Sequence, residues 1–146
     1  MQNLDHQGLP VLFLLRDGGT LVIILRDIAY AIGTLVTVTV PRGFESDGCS
    51  LPRFFWRVIG HPFNMQYLKE AILHDWLYRY QPCNRLLADG IFRSVLVGRV
   101  GPIRRWAIYW GLRLGGWVAW NRNRRRLAEL PVRAVEPDAA IGMKQP

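Results

Sequence analysis

Between positions 9 and 40 the apolar residues come in short blocks set apart by turn-forming ones. Pro-Val-Leu-Phe-Leu-Leu over 10–15 is followed by Asp17-Gly18-Gly19, then Leu-Val-Ile-Ile-Leu-Arg-Asp over 21–27, then Thr-Leu-Val-Thr-Val-Thr-Val over 34–40. Blocks of this length around a Gly-containing turn predict two or three antiparallel strands. In the last block Thr34, Val36, Val38 and Val40 share one face and Leu35, Thr37 and Thr39 the other, the two-residue period of a half-buried strand. Pro41 ends it, and the Gly, Pro and Ser content of 40–53 (VPRGFESDGCSLPR) predicts a loop.

Beyond Pro52 the pattern turns helical. The run 54–60 (FFWRVIG) reads as a short apolar turn or helix closed by Gly60. Asn64 is placed to cap a helix from Met65 to about Tyr80, stopped by Pro82. Asn84 is placed to cap another from Arg85 to about Val97, with Gly98 beyond its end. So short a connection makes the two helices pack antiparallel. A last helix runs from about Pro102, a proline at its first turn, to Leu127. The tail mixes Pro, Ala and polar residues without a period. The expected fold is α+β: a small N-terminal antiparallel β-sheet followed by a bundle of three to four helices with an antiparallel central pair. One domain is expected over 1–127, with a flexible tail over 128–146.

Composition narrows the picture. A chain of 146 residues fits one domain. With 50% hydrophobic and 21% charged residues it can bury a core, which excludes a wholly disordered protein. Cys49 and Cys83 are too few for a disulfide framework and show no metal-ligand spacing. The first ten residues lack the basic and apolar regions of a signal peptide. The apolar stretch Trp106–Trp120 has 15 residues and holds Arg113, whereas a membrane span needs roughly 20. No secretory leader and no full transmembrane helix are therefore expected.

Candidate chemistry gathers on the two central helices. Tyr67, Ala71, His74 and Tyr78 fall on one stripe, and the helix is apolar nearly all round, leaving Lys69, Glu70 and Arg79 as its wet residues. His74 then faces inward, with Asp75 at or near the interior, where a carboxylate needs a hydrogen bond, an opposite charge or a metal. The next helix offers Arg85 and Asp89 a turn apart, with Phe92 beyond. Antiparallel packing brings Asp89 towards His74. A carboxylate on one imidazole nitrogen fixes the tautomer and leaves the other nitrogen as a general base. Asp75 is then available to a hard cation such as Ca²⁺, together with Asp47 from the preceding loop. A rival reading makes Ser50 a nucleophile, His74 its base and Asp89 the orienter, although no nucleophile elbow surrounds Ser50. In a third, His74, Asp75, Arg85 and Asp89 are a buried network pinning two helices, and Asp47 and Ser50 are turn and cap residues.

The ordered set Val40-Pro41-x-Gly43-Phe44-x-x-Asp47-x-x-Ser50-x-Pro52-Arg53, then His74-Asp75-x-Leu77-Tyr78, then Arg85-x-x-x-Asp89-x-x-Phe92 resembles the phage and prophage domain-of-unknown-function family 1353. Cys49 stands where that family usually has Ala. The resemblance covers about Leu9 to Trp120 and implies α+β organisation and a phage or prophage gene, often of the late or lysis region. It brings no known activity. It sets the expected location in the host cytoplasm, peripheral at the membrane, or in the virion, with phage proteins as partners. The two-helix core is also similar to secreted phospholipases A2, the bacterial ones above all. That likeness implies His74 activating water, Asp75 on Ca²⁺, and Asp89 with Tyr78 holding the imidazole. It covers about 30 residues, and the glycine-rich calcium loop and its disulfides are missing. No organic cofactor is expected.

Charge adds a surface to this. Of 19 basic residues only Lys69 and Lys144 are lysines, and the formal charge is +8. Arg104, Arg105, Arg113, Arg122, Arg124, Arg125 and Arg126 fall in one stretch without an acid, interleaved with Trp106, Tyr109, Trp110, Trp117 and Trp120. One reading is a packed helix whose aromatics complete the core. Another is an interfacial helix, with Trp110 and Trp117 at headgroup depth and the arginines on anionic lipid. No specific nucleic-acid recognition is expected, since no helix-turn-helix, zinc or cold-shock signature accompanies the arginines. Two functional classes follow: a metal-dependent hydrolase of a lipid or other ester, and a noncatalytic phage interaction module in which the His/Asp/Arg network is structural.

Overall fold

A computed structural model describes residues 8–16, 19–34, 36–46, 67–129 and 141–143. The chain is α+β. Two three-stranded antiparallel sheets precede and flank three helices.

The first sheet is built on a hairpin of β1 (Val11–Arg16) and β2 (Gly19–Ile24), paired from Val11 opposite Ile24 to Arg16 opposite Gly19. That register leaves two residues for the connection, the loop length that suits the Asp17-Gly18 signal; those two residues lie outside the described ones. The second sheet pairs β3 (Ile28–Ile32) with β4 (Val36–Val40).

Three features depart from the sequence reading. The strand β3 was not expected, because two alanines dilute its β-forming composition. Its alternation is nonetheless clean, with Ile28 and Tyr30 buried and Ala29 and Ala31 exposed. Within the stretch read as loop, Glu45–Ser46 forms β5 on the free edge of β2, with Ser46 opposite Val22. In the C-terminal segment read as flexible, Ile141–Met143 forms β6 and covers the free edge of β4. Strand β4 itself starts at Val36, since Gly33, at φ +65°, and Thr34 form the turn.

The first helix, α1 (Leu68–Tyr80), lies against both sheets. Val22, Ile24, Val38 and Val40 from the strands and Leu68, Ile72, Leu73 and Leu77 from α1 are almost wholly buried in one cluster. The Tyr30 hydroxyl donates to the Lys69 carbonyl at 2.6 Å, which fixes the helix over β3. Tyr67 stands at the N-cap, and the expected Asn64 cap and Met65 start lie outside the described residues, as does the 54–60 segment. At the other end Gln81 adopts a left-handed φ of 49°, its backbone N–H bonded to the Leu77 carbonyl and its side-chain amide donating to the Trp120 carbonyl at 2.7 Å.

The Asn84 side chain caps α2 (Arg85–Val95), accepting from the Leu87 backbone at 2.9 Å. This helix ends near its expected boundary, with Gly98 at φ +79° in the turn beyond. The last helix, α3 (Pro102–Glu129), is one unbroken element of 28 residues, so the arginine run does share a single scaffold. A second apolar cluster of Tyr67, Phe92, Leu96, Ile108 and Leu112 joins the helices, with Val95 packed against both clusters.

One side chain of α1 was misjudged. Glu70, read as solvent-facing, is only 5% exposed, and Arg99 from beyond α2 reaches it with Nε 3.0 Å from Oε1. The partner lies 29 residues away, so helix periodicity alone could not show that this acid is covered.

Burial separates two expectations. Ile72→Ala should cost about 2–5 kcal/mol, the range for truncating a buried aliphatic side chain. Leu86→Ala, at an exposed position of α2, should stay within about 0.5 kcal/mol. Urea unfolding of the two variants beside the parent protein measures both.

Candidate functional site

The site is assembled by the antiparallel pair α1 and α2, closed by α3. The His74 ring leaves α1 towards α2, where Phe92 lies 4.6 Å from it between ring centroids and Tyr78 lies 4.2 Å away on its own helix. Its Nε2 is 3.3 Å from Oδ1 of Asp89. The Tyr78 hydroxyl donates to the same oxygen at 2.6 Å. The other carboxylate oxygen of Asp89 accepts from Arg113 Nη1 of α3 at 2.9 Å, and Arg85 Nη1 stands 3.9 Å from it. Arg85 also donates to the carbonyls of Leu112 and Arg113, at 3.2 Å each. One carboxylate thus ties together all three helices.

Its electrostatics follow from that crowd. Asp89 is fully buried, which by itself would push its pKa up. The hydrogen bonds from His74 and Tyr78, the nearby imidazole and the Arg113 bond outweigh burial and hold it below the ordinary 3.8. An ionised carboxylate only accepts, so the His74 proton sits on Nε2. Burial is the leading influence on His74, and it holds the imidazole below its ordinary 6.5 although the hydrogen bond and charge of Asp89 pull the other way. The ring is therefore neutral at physiological pH, and its Nδ1 has no hydrogen-bond partner among the described residues. Tyr78 is pushed far up, by burial first and by the Asp89 carboxylate it donates to, so it stays a phenol.

Close approach of α3 depends on glycine. A Cβ on Gly116 would lie 2.5 Å from the Tyr78 hydroxyl, so only a residue without a side chain lets that hydroxyl sit between α3 and Asp89. Trp120, one turn on, closes edge-on over the Tyr78 ring with centroids 5.1 Å apart. Asn123 donates to the Tyr78 carbonyl at 3.1 Å, which holds the end of α1 against α3.

Of the residues singled out by sequence, His74, Tyr78, Arg85 and Asp89 come together. Asp75 turns the other way, towards β5, where it is 6% exposed and its Oδ2 accepts from the Ser46 hydroxyl at 2.5 Å. The carboxylate expected to be available to a cation accepts a hydrogen bond from the hydroxyl of Ser46 in β5. Asp47, Ser50 and Arg53 lie outside the described residues. Among the described residues no group of three or more His, Cys, Asp or Glu side chains is placed to hold a metal. Of the surface set, Trp110, Trp117, Arg122, Arg124, Arg125 and Arg126 are exposed, while Arg104 and Arg105 are half-buried. The sequence reading missed Arg113, Ser46 and Gly116 as members of the site. Arg113 did carry a signal, being the one charge inside the apolar run Trp106–Trp120.

Two expectations follow from this geometry. Gly116→Ala should destabilise the protein by about 1–3 kcal/mol, because overpacking displaces the Tyr78 hydroxyl and outweighs the gain in helix propensity. In a Tyr78→Phe background the atom in the way is gone and the cost should shrink, which a double-mutant cycle reads directly. For pH, both His74 and Asp89 bind protons more weakly folded than unfolded, so the stability they contribute is present at neutral pH and lost on acidification. His74 gives the first loss, beginning as pH falls below 6.5 and ending below its own lowered pKa, at most about 1.4 kcal/mol per pH unit for one proton. The Asp89 share goes later, below 3.8. His74→Gln keeps an N–H near the Nε2 position and should remove the first loss alone, as urea titrations across the pH range would show.

Residues 22–112 match the profile of a family described as Protein of unknown function (DUF1353). Over 95 residues the chain is 33% identical to the uncharacterized protein y4jT of Sinorhizobium fredii (strain NBRC 101917 / NGR234), a match covering 62% of this chain and 27% of that relative. The chain thus spans about a quarter of the length of the curated relative it matches. No solved structure matches it. The family match runs from within β2 to the middle of α3 and contains His74, Tyr78, Arg85 and Asp89, ending one residue short of Arg113. On that coverage the chain belongs to the DUF1353 family.

Proposed function

We propose that this domain is a hydrolase of acyl esters in which His74 is the general base. One observation carries the reading: the His74 Nε2 is held by a buried, ionised Asp89 that Tyr78 also grips, which fixes the tautomer and leaves Nδ1 as the basic nitrogen. In the step this permits, Nδ1 takes a proton from water as the water oxygen bonds to the ester carbonyl carbon. The carbon–oxygen bond to the alcohol then breaks, and the imidazolium returns the proton to the leaving oxygen. Asp89 stabilises the imidazolium while it lasts. A requirement for Ca²⁺, with Asp75 and Asp47 as the expected ligands, is part of the same proposal, and the EDTA arm of the assay below tests it. A phage or prophage setting, near lysis functions, is what the family resemblance adds to this proposal.

A second reading, a noncatalytic interaction module, is favoured by a separate observation. Arg113 and Arg85 give Asp89 two cationic neighbours and α3 two backbone bonds, which is what a helix clamp needs whether or not chemistry occurs.

The two readings part on one variant. Purified protein should release fatty acid from mixed phosphatidylglycerol and phosphatidylcholine vesicles or cleave a soluble p-nitrophenyl ester, each tried with Ca²⁺ and with EDTA. His74→Gln should lose about 10²–10⁴-fold of that rate, the usual worth of a general base, at an unchanged melting temperature. Since burial lowers the imidazole's pKa, the acid limb of the rate profile should have its midpoint below 6.5. No hydrolysis by the parent protein, or an equal rate in His74→Gln, would exclude the catalytic reading and leave the clamp.

A further inference from the structure

The helix α3 buries only one of its two apolar faces. Ile108, Leu112, Gly116 and Ala119 point into the protein. On the opposite side Ile103 is 87% exposed, Leu114 74%, Trp110 57%, Trp117 54% and Val118 53%, with Trp106 beside them. At 100° per residue these positions form one stripe, and at 1.5 Å per residue it is roughly 22 Å long. Scattered surface hydrophobics need no explanation, but a continuous stripe rich in Trp requires a cover.

The same stripe becomes cationic towards its end. Arg122, Arg124 and Arg125 are exposed beside or just beyond Val118, and α3 contains no acid before Glu129. Where the two characters meet, a recess of about 370 Å³ is lined by Trp117, Val118, Arg122, Arg125 and Arg126, together with Glu129. No helix among the described residues is long and apolar enough to cross a membrane. An element that exposes aliphatic and indole side chains along one face and arginines in continuation, yet cannot span, has the properties of a helix lying in a bilayer interface.

We infer that the outer face of α3 docks on an anionic lipid bilayer. Ile103, Leu114 and Val118 enter the acyl boundary, Trp106, Trp110 and Trp117 sit at headgroup depth, and Arg122, Arg124 and Arg125 pair with lipid phosphates. Charge selects this occupant over a second copy of the chain. In either direction a second α3 offers these arginines no acid before Glu129 and brings arginines of its own from both ends, whereas anionic headgroups neutralise them. Arg105 lies on the far side of the helix from this face, and Arg126 lies at its margin, lining both this recess and a second one with Arg79 and Tyr80. This inference is independent of whether His74 is catalytic.

Co-sedimentation with phosphatidylcholine vesicles, with and without phosphatidylglycerol, at low and at high salt, tests it. The protein should bind the anionic vesicles at low salt with a blue shift of tryptophan emission, and release in high salt as the charges are screened. The triple variant Arg122→Gln, Arg124→Gln, Arg125→Gln should bind about 100-fold more weakly, at about fivefold per arginine. Trp110→Ser with Leu114→Ser and Trp117→Ser should abolish binding with the fold intact by circular dichroism, since these side chains are exposed. Absence of binding, equal binding to both vesicle types, or unchanged binding by the variants would overturn the proposal. So would a dimer in sedimentation velocity that the same serine variant breaks, since a second copy would then cover the face.

Discussion

Asp89 is a negative charge with no access to water, and the arrangement of the three helices follows from satisfying it. Removing a carboxylate from solvent costs several kcal/mol unless hydrogen bonds and opposite charge replace the lost hydration. Here α1 supplies the imidazole and phenol, α2 supplies the carboxylate itself and Arg85, and α3 supplies Arg113. No helix can slide far without stripping a partner from that group. The compensation need not make the cluster a net source of stability, because well-packed apolar residues of similar volume often do as well. What it fixes is register: which turn of α1 faces which turn of α2, and where the glycine of α3 must fall.

Half of this arrangement is readable without coordinates. His74 and Tyr78 are one helical turn apart, as are Arg85 and Asp89. A four-residue connection between the helices leaves an antiparallel pairing that brings those turns together. Local spacing carries that information because both helices are short and adjacent in sequence. Arg113 and Gly116 belong to an element whose own pattern is almost uniformly apolar. Periodicity then does not say which side faces inward, and an arginine in such a run reads as an interruption rather than a partner. Ser46 was hidden for another reason. Two residues are too short a strand to show alternation, and only pairing with β2 turns its hydroxyl towards Asp75. Glu70 and Arg99 are likewise a tertiary pairing invisible to the pattern of either segment. Strand β3 was legible in its alternation and lost in its composition.

The uniform character of α3 is itself informative once the fold is known. A helix packed against a domain on one side needs an apolar stripe of about 100° or a little more. This helix carries a second stripe opposite the first. Small residues, Gly111, Gly116 and Ala119, line the inner side and permit close packing, while Trp110, Leu114 and Trp117 stand on the outer side. The inner side also carries Ile108, Leu112 and Trp120, all buried, so the core is filled from that side and the outer bulk adds nothing to it. Packing of this domain alone therefore does not account for the outer face.

The charges around Asp89 also bear on what the imidazole can do. A carboxylate beside a histidine ordinarily raises its basicity, since the imidazolium is stabilised by the adjacent charge. In this site burial opposes that rise and outweighs it. The ring is held in its neutral form, correctly oriented, over a wide pH range, at the expense of basic strength. Proton transfer is most efficient when the base has a pKa near the working pH. A base held below that range suits a reaction in which readiness in the neutral form and orientation matter more than driving force. Burial, more than any of the groups around Asp89, sets the protonation state of the imidazole.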